Sequence, residues 1–264
     1  NRTSPFAFTG NKFEFRMVGS SDSIACCNIM LNTAVAESLK QFADELEGAD
    51  NFESSLHALI QKTIKAHKRI IFNGNGYEDA WLEEAARRGL SNLRTTPDCV
   101  PHMLDKKNVE MLTSHKVYTA AELEARCEIL MENYCKVVRI EALTMVDMVQ
   151  KEILPAVETY SAAVSGAAAA KLALDADAPC NYEKKLVKKL SALADQMDDK
   201  AEKLSLAMVK LKMVGGIEEE AATIRDDILP RMNELRVAAD EAETVTAAKY
   251  WPFPTYGELL FGLK

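Results

Sequence analysis

The chain lacks the patterns that announce several chemistries. Its six cysteines, Cys26, Cys27, Cys99, Cys127, Cys135 and Cys180, contain no C-x-x-C. Its four histidines show none of the pairing a zinc centre needs. His57 and His67 are ten positions apart on one expected helix, off the four-residue spacing that brings two imidazoles to one ion. His102 and His115 read as single surface or interface residues. No G-x-G-x-x-G or Walker pattern accompanies Asn73-Gly74-Asn75-Gly76, which reads as a plain turn, with a backbone anion cradle as the alternative. No apolar run reaches the roughly 18 residues of a spanning helix, and no signal peptide is visible. The expectation is therefore no membrane, a reducing cytoplasmic compartment and free thiols, with Cys26 and Cys27 buried in a helix. A formal net charge of -8 and a pI near 5.2 suggest no nucleic-acid surface.

What is present is ordinary globular composition. Hydrophobic residues make up 48% and charged residues 27% of 264 positions, enough for one large domain or two. Aromatics at 7% and abundant alanine lean towards helix.

The first sixteen residues are the exception. From Lys12 the charges alternate with Phe13, Phe15 and Met17, the period of a half-buried strand ending at Val18. Lys12, Glu14 and Arg16 then share one face, a carboxylate held between two cations. That face is either a solvated ladder of pairing charges or the wall of a cleft, with Glu14 on a divalent cation and the arginine forks on phosphate or carboxylate oxygens.

After a Gly19-Ser-Ser-Asp22 turn, apolar spacings of three and four predict helices over Ile24 to Leu46, stopped at Gly48, and over Phe52 to about Lys68. Shorter helices follow over Glu78 to Arg88 and Lys106 to His115, separated by a connector through Thr95, Pro97 and Pro101. Thr119-Ala-Ala-Glu122 is a capping box, and from it the chain reads as almost wholly helical to Thr246, with Pro155 kinking or breaking the first long helix. Two stripes then mirror each other. One runs Leu186, Leu190, Leu193, Met197, Ala201, Leu204, Met208 and Leu211, and the other runs Ile217, Ala221, Ile224, Ile228, Met232, Leu235, Ala239 and Ala242. Both share one extra four-residue step in a heptad, and Gly215-Gly216 lets them fold back as an antiparallel hairpin. Such stripes are core. The closing Trp251, Phe253 and Phe261 call for a groove to dock in, on the same or a neighbouring subunit.

The N-R-T-S prefix, the turn at Gly10 and K-F-E-F-R resemble the carboxyl-terminal signature of glutamine synthetases. F-E-F-R-M-V-G-S-S-D-S, I-E-A-L-T-M-V-D-M at Ile140 to Met148 and the final W-P-F-P-T-Y-G-E-L-L-F resemble the type III form. The resemblance implies a mainly α chain, with one or two active-site strands followed by long antiparallel helices. It implies a division into 1–118, the end of the catalytic domain; 119–249, a helical bundle whose hairpin is 182–247; and 250–264, an aromatic docking tail. It implies ATP-dependent ligation of ammonia to glutamate through a γ-glutamyl phosphate, with Mg²⁺ or Mn²⁺. Glu14 would bind one metal, Arg2 and Arg16 the transferring phosphate or glutamate, and Lys12 the ATP, where the family usually has arginine. Pro5-Phe6-Ala7-Phe8 departs from the commoner family pattern, and Lys12 is a point charge rather than a fork.

The resemblance also implies a homo-oligomer, a dodecamer of two stacked rings. With no initiator methionine and one candidate metal carboxylate, the chain is expected to be the distal part of a longer polypeptide and inactive alone. The competing expectation is a non-catalytic helical scaffold or oligomerisation module.

Overall fold

A computed structural model describes residues 6–8, 13–15, 23–72, 75–76 and 78–262. By its internal contacts the chain falls into two units, Asn1–Cys127 and Glu128–Lys264. Both are dominated by helix, as the spacings predict.

In the first unit, strands β1 (Phe6–Phe8) and β2 (Phe13–Phe15) pair antiparallel. Helix α1 (Ala25–Leu46) comes next, then α2 (Phe52–His67), whose first turn is capped by Asn51 accepting from the Ser54 amide at 3.1 Å. Helix α3 (Asp79–Arg87) ends at Gly89, whose φ of 71° is open to glycine at little cost. The expected connector contains one short turn, α4 (Thr96–Cys99), capped by the Thr95 hydroxyl, and then a 3-10 segment at Val100–Leu104. Helix α5 (Lys106–Ser114) completes the set.

Burial in this unit gathers on Leu59, Val100, Leu112, Leu123 and Cys127. Helix α1 packs on α2 and α5, but its predicted stripe is only partly covered, with Cys27, Leu31, Phe42 and Leu46 half-buried. Thr33 is the one buried residue of that helix, while Val35 and Leu39 are exposed. Cys26 is exposed and Cys27 half-covered, which corrects the expectation of two buried thiols. They lie at the first turn of α1, where Cys26 is near Arg126 and Cys99 and is only partly covered.

Helix α6 (Ala120–Met148) opens on the predicted capping box. The Glu122 amide donates to the Thr119 hydroxyl at 3.2 Å, and the Thr119 amide donates to the Glu122 carboxylate at 2.8 Å. Pro155 does not break the helical run. A π-turn at Val149–Ile153, closed by the Leu154 amide donating five residues back to Val149, carries the chain into α7 (Leu154–Leu174). The extra residue in the wider turn releases the carbonyl that the pyrrolidine ring would otherwise strike, so the helix passes Pro155 with its side chains still inward.

The second unit is a hairpin packed on α7. Helix α8 (Asn181–Leu211) packs against both α7 and α10 (Leu229–Val245). Gly216, at φ 89°, turns the chain into α9 (Ile217–Thr223), and a second π-turn at Ile224–Ile228 leads to α10. Leu190, Met197, Leu204, Ile224, Ile228 and Leu235 are fully enclosed. Each contributes about 1.5–3 kcal/mol of transfer free energy. Leu186 and Ile217 are half-buried at the ends of the stripes, and Ala238 rather than Ala239 is in the core. Short helix α11 (Tyr256–Phe261) carries its own capping box, Thr255 with Glu258.

Candidate functional site

Of the candidate site residues, Glu14 lies on the amino-terminal hairpin. Its register sets Phe6 opposite Phe15, Ala7 opposite Glu14 and Phe8 opposite Phe13. Glu14 therefore occupies a position that alternates with those of Phe13 and Phe15, as the period-two pattern requires. Arg2, Lys12 and Arg16 lie outside the described residues, as do Asn73 and Gly74 of the glycine-rich turn. In that turn the Asn75 amide donates to the Glu78 carboxylate at 2.9 Å.

Polar pairs in the first unit fix the helices that come after the hairpin. His115, at the end of α5, meets the Glu37 carboxylate of α1 at 2.7 Å, and the Gln41 amide donates to the other oxygen at 2.7 Å. The Gln41 amide and then His115 hold the Glu37 carboxyl below the usual carboxylate range. Glu37 and Gln41 border an open depression of about 530 Å³ with Lys107, Asn108 and Glu110 on its walls. His115 is thus a clamp between two helices, 78 positions from its partner in sequence, which no local spacing could show. Arg88 is a second joint. It donates to the Ile71 carbonyl at 2.8 Å and bonds Glu84, with its guanidinium 5.8 Å from the Trp81 ring that stacks on Phe72. Arg87 and then Arg88 depress the Glu84 carboxyl.

Among the described residues no group of three or more His, Cys, Asp and Glu side chains could hold a metal ion. No described helix is long and apolar enough to cross a membrane. In the second unit, Trp251 and Phe253 are half-buried and line, with Ile140, Met145, Met148 and Leu235, an open apolar cavity of about 440 Å³. Tyr256, Leu259, Leu260 and Phe261 beyond them are exposed.

Comparison with known proteins decides the family. Residues 55–171 match the glutamine synthetase C-terminal domain. A glutamine synthetase of Butyrivibrio fibrisolvens is 38% identical over 270 residues, spanning 100% of this chain and 38% of the relative. A type-3 glutamine synthetase of Dictyostelium discoideum is 35% identical over 273 residues, spanning 99% and 36%. The chain belongs to the glutamine synthetase family. A further family member, from Bacteroides fragilis (strain YCH46), is 30% identical over 271 residues and covers 99% of this chain and 37% of its own length. The chain therefore spans less than two-fifths of the length of these glutamine synthetases. The family named by the N-R-T-S and K-F-E-F-R motifs is the one the relatives share, including the type III form.

Proposed function

We propose that this chain supplies one wall of a glutamine synthetase active site and is the carboxyl-terminal part of the enzyme. The observation that carries the reading is identity of 38% to a glutamine synthetase across the whole chain, with Glu14 on a paired strand inside the signature segment. In the proposed reaction a side-chain carboxylate oxygen of glutamate attacks the terminal phosphorus of ATP and ADP leaves. Ammonia nitrogen then attacks the acyl carbon of the γ-glutamyl phosphate, loses a proton, and phosphate departs.

A carboxylate such as Glu14 suits Mg²⁺ or Mn²⁺, hard cations that take oxygen ligands. When bound, the ion offsets negative charge gathering on the transferred oxygens. Glu14 would hold one such ion through its carboxylate oxygens. Arg16 and Arg2 present guanidinium forks to the transferring phosphate or to glutamate. Lys12 contacts ATP as a compact charge able to follow a moving oxygen. Residues 1–118 supply this edge of the catalytic domain, 119–249 the bundle, and 250–264 the docking tail. The assembled enzyme is a cytoplasmic homo-oligomer, a dodecamer of two rings, and residues 1–264 alone make no glutamine.

The test is Glu14→Ala and Arg16→Ala in the complete enzyme, with folding followed by circular dichroism. Loss of glutamine formation by about a hundredfold or more with the fold intact supports the reading. Wild-type turnover in both variants overturns it in favour of a helical scaffold.

A further inference from the structure

The buried stripe of α8 has a counterpart on the opposite side of the helix. Lys184, Lys188, Ser191, Asp195, Asp198, Glu202, Leu206 and Val209 are all exposed and recur at steps of four and three residues, and the exposed Met213 follows in the turn after the helix. That is the spacing of a second coiled-coil seam, and its residues are left exposed by the described part of the chain. Its chemistry is sorted along the helix. The amino-terminal stretch is basic, the middle is acidic, and the last turns are apolar, with Leu206 55%, Val209 53% and Met213 84% exposed. The neighbouring charges are spent elsewhere, Lys189 on Glu241 at 2.9 Å and Lys203 on Asp199 at 2.6 Å. Among the described residues no ion pair includes Lys184, Lys188, Asp195, Asp198 or Glu202.

We infer that this face is an interaction surface for a second copy of the chain, docked with the two α8 helices antiparallel about a two-fold axis that passes between Ser191 and Asp195. From Lys184 to Glu202 the steps run four, three, four, three, four, which reads the same in both directions. An antiparallel partner therefore meets every position in register. Lys184 faces Glu202 of the partner subunit, Lys188 faces Asp198 of the partner subunit, and Ser191 faces Asp195 of the partner subunit. Each contact occurs twice, as a two-fold interface demands. A parallel pairing would set lysine on lysine and aspartate on aspartate, which costs free energy. The apolar end gains a partner as well. Leu206, Val209 and Met213 reach the end of the other copy where α7 stops at Leu174, 92% exposed. The inference stands on the geometry and charge of α8 and is independent of the proposed reaction.

Cross-linking tests it in the complete protein, with the exposed Cys26 and Cys99 replaced by serine. Lys184 and Glu202 lie 18 positions apart on one helix, about 27 Å, beyond the reach of a short bis-maleimide within one chain. Lys184→Cys with Glu202→Cys should give cross-linked dimers on denaturing gels, whereas either single variant should give none. Charge reversal is the second reading. Lys184→Glu with Lys188→Glu should weaken self-association at low salt by about tenfold or more, and adding Asp198→Lys with Glu202→Lys in the same chain should restore it. Cross-linking of the double variant no greater than that of the singles, or reversal without rescue in folded protein, overturns the inference.

Discussion

Pro155 and Pro230 occupy the same place in two helices: each is the second residue after a five-residue π-turn, Val149–Ile153 in one case and Ile224–Ile228 in the other. The sequences agree, Glu152-Ile-Leu-Pro155 against Asp227-Ile-Leu-Pro230. Both turns pack against α8, and both keep their isoleucines, Ile153 and Ile228, buried.

The proline and the extra residue should therefore be coupled. Deleting Asp226 turns the π-turn into plain α-helix and leaves Pro230 inside it, at a cost of about 3 kcal/mol. The same deletion combined with Pro230→Ala should recover most of that loss in urea unfolding. A deletion equally damaging with and without Pro230 would show that the turn is held by packing alone.

Leu204 and Leu235 are fully enclosed between α8 and its neighbours. Leu204→Ala and Leu235→Ala should each cost about 2–5 kcal/mol in chemical denaturation, while Leu206→Ala, two positions away on the exposed face, should cost far less in a dilute monomer.

Lys171 and Glu183 close the turn between α7 and α8, with the Glu183 side chain almost fully covered. Contact with Lys171 holds the Glu183 carboxyl below its ordinary value. A depressed carboxylate contributes stability that is present above its unfolded value, about 4.3, and lost as pH falls through the folded one. The melting temperature of Glu183→Gln should accordingly fall less steeply than wild type below about pH 5. Identical acid limbs would contradict this.

Burial pushes the Cys135 thiol up to about 11, with Glu220 nearby adding to the effect and Arg139 opposing it. A raised value contributes stability that is complete below the unfolded value and lost as pH rises through the folded one. The alkaline loss should therefore fall between pH 9 and about 11 and shrink in Cys135→Ala. Cys127, Cys135 and Cys180 should resist thiol reagents in the native chain while Cys26 and Cys99 react.

Local chemistry made most helices legible. The Asn51 cap, the Thr119-Glu122 box and the stop at Gly89 each act within a turn of the residue that encodes them, so boundaries came within a residue or two. Thr255-x-x-Glu258 carried the same signal and marks α11, which reading the tail as a docking segment passed over. Pro155, expected to kink or break the helix, follows a π-turn that interrupts the α-helix without ending the helical run, because a wider turn frees the carbonyl that the ring would strike. The same four-residue extra step is a π-turn before α10 and unbroken α-helix in α8, so the step alone does not select the turn. Cys26 and Cys27 sit at helical positions whose burial depends on neighbouring elements, and so does the Glu37–His115 clamp. The hairpin register sets Glu14 opposite Ala7, whereas the roles of Glu14, Arg2, Lys12 and Arg16 rest on the motif.

The role of Glu14 is the centre of the account, and counting bound metal tests it most directly. Mn²⁺ titration of the complete enzyme, followed by electron paramagnetic resonance, should show Glu14→Gln losing or markedly weakening one of two ions per subunit, with its circular dichroism unchanged. The same number of ions, bound as tightly as in wild type, would contradict it.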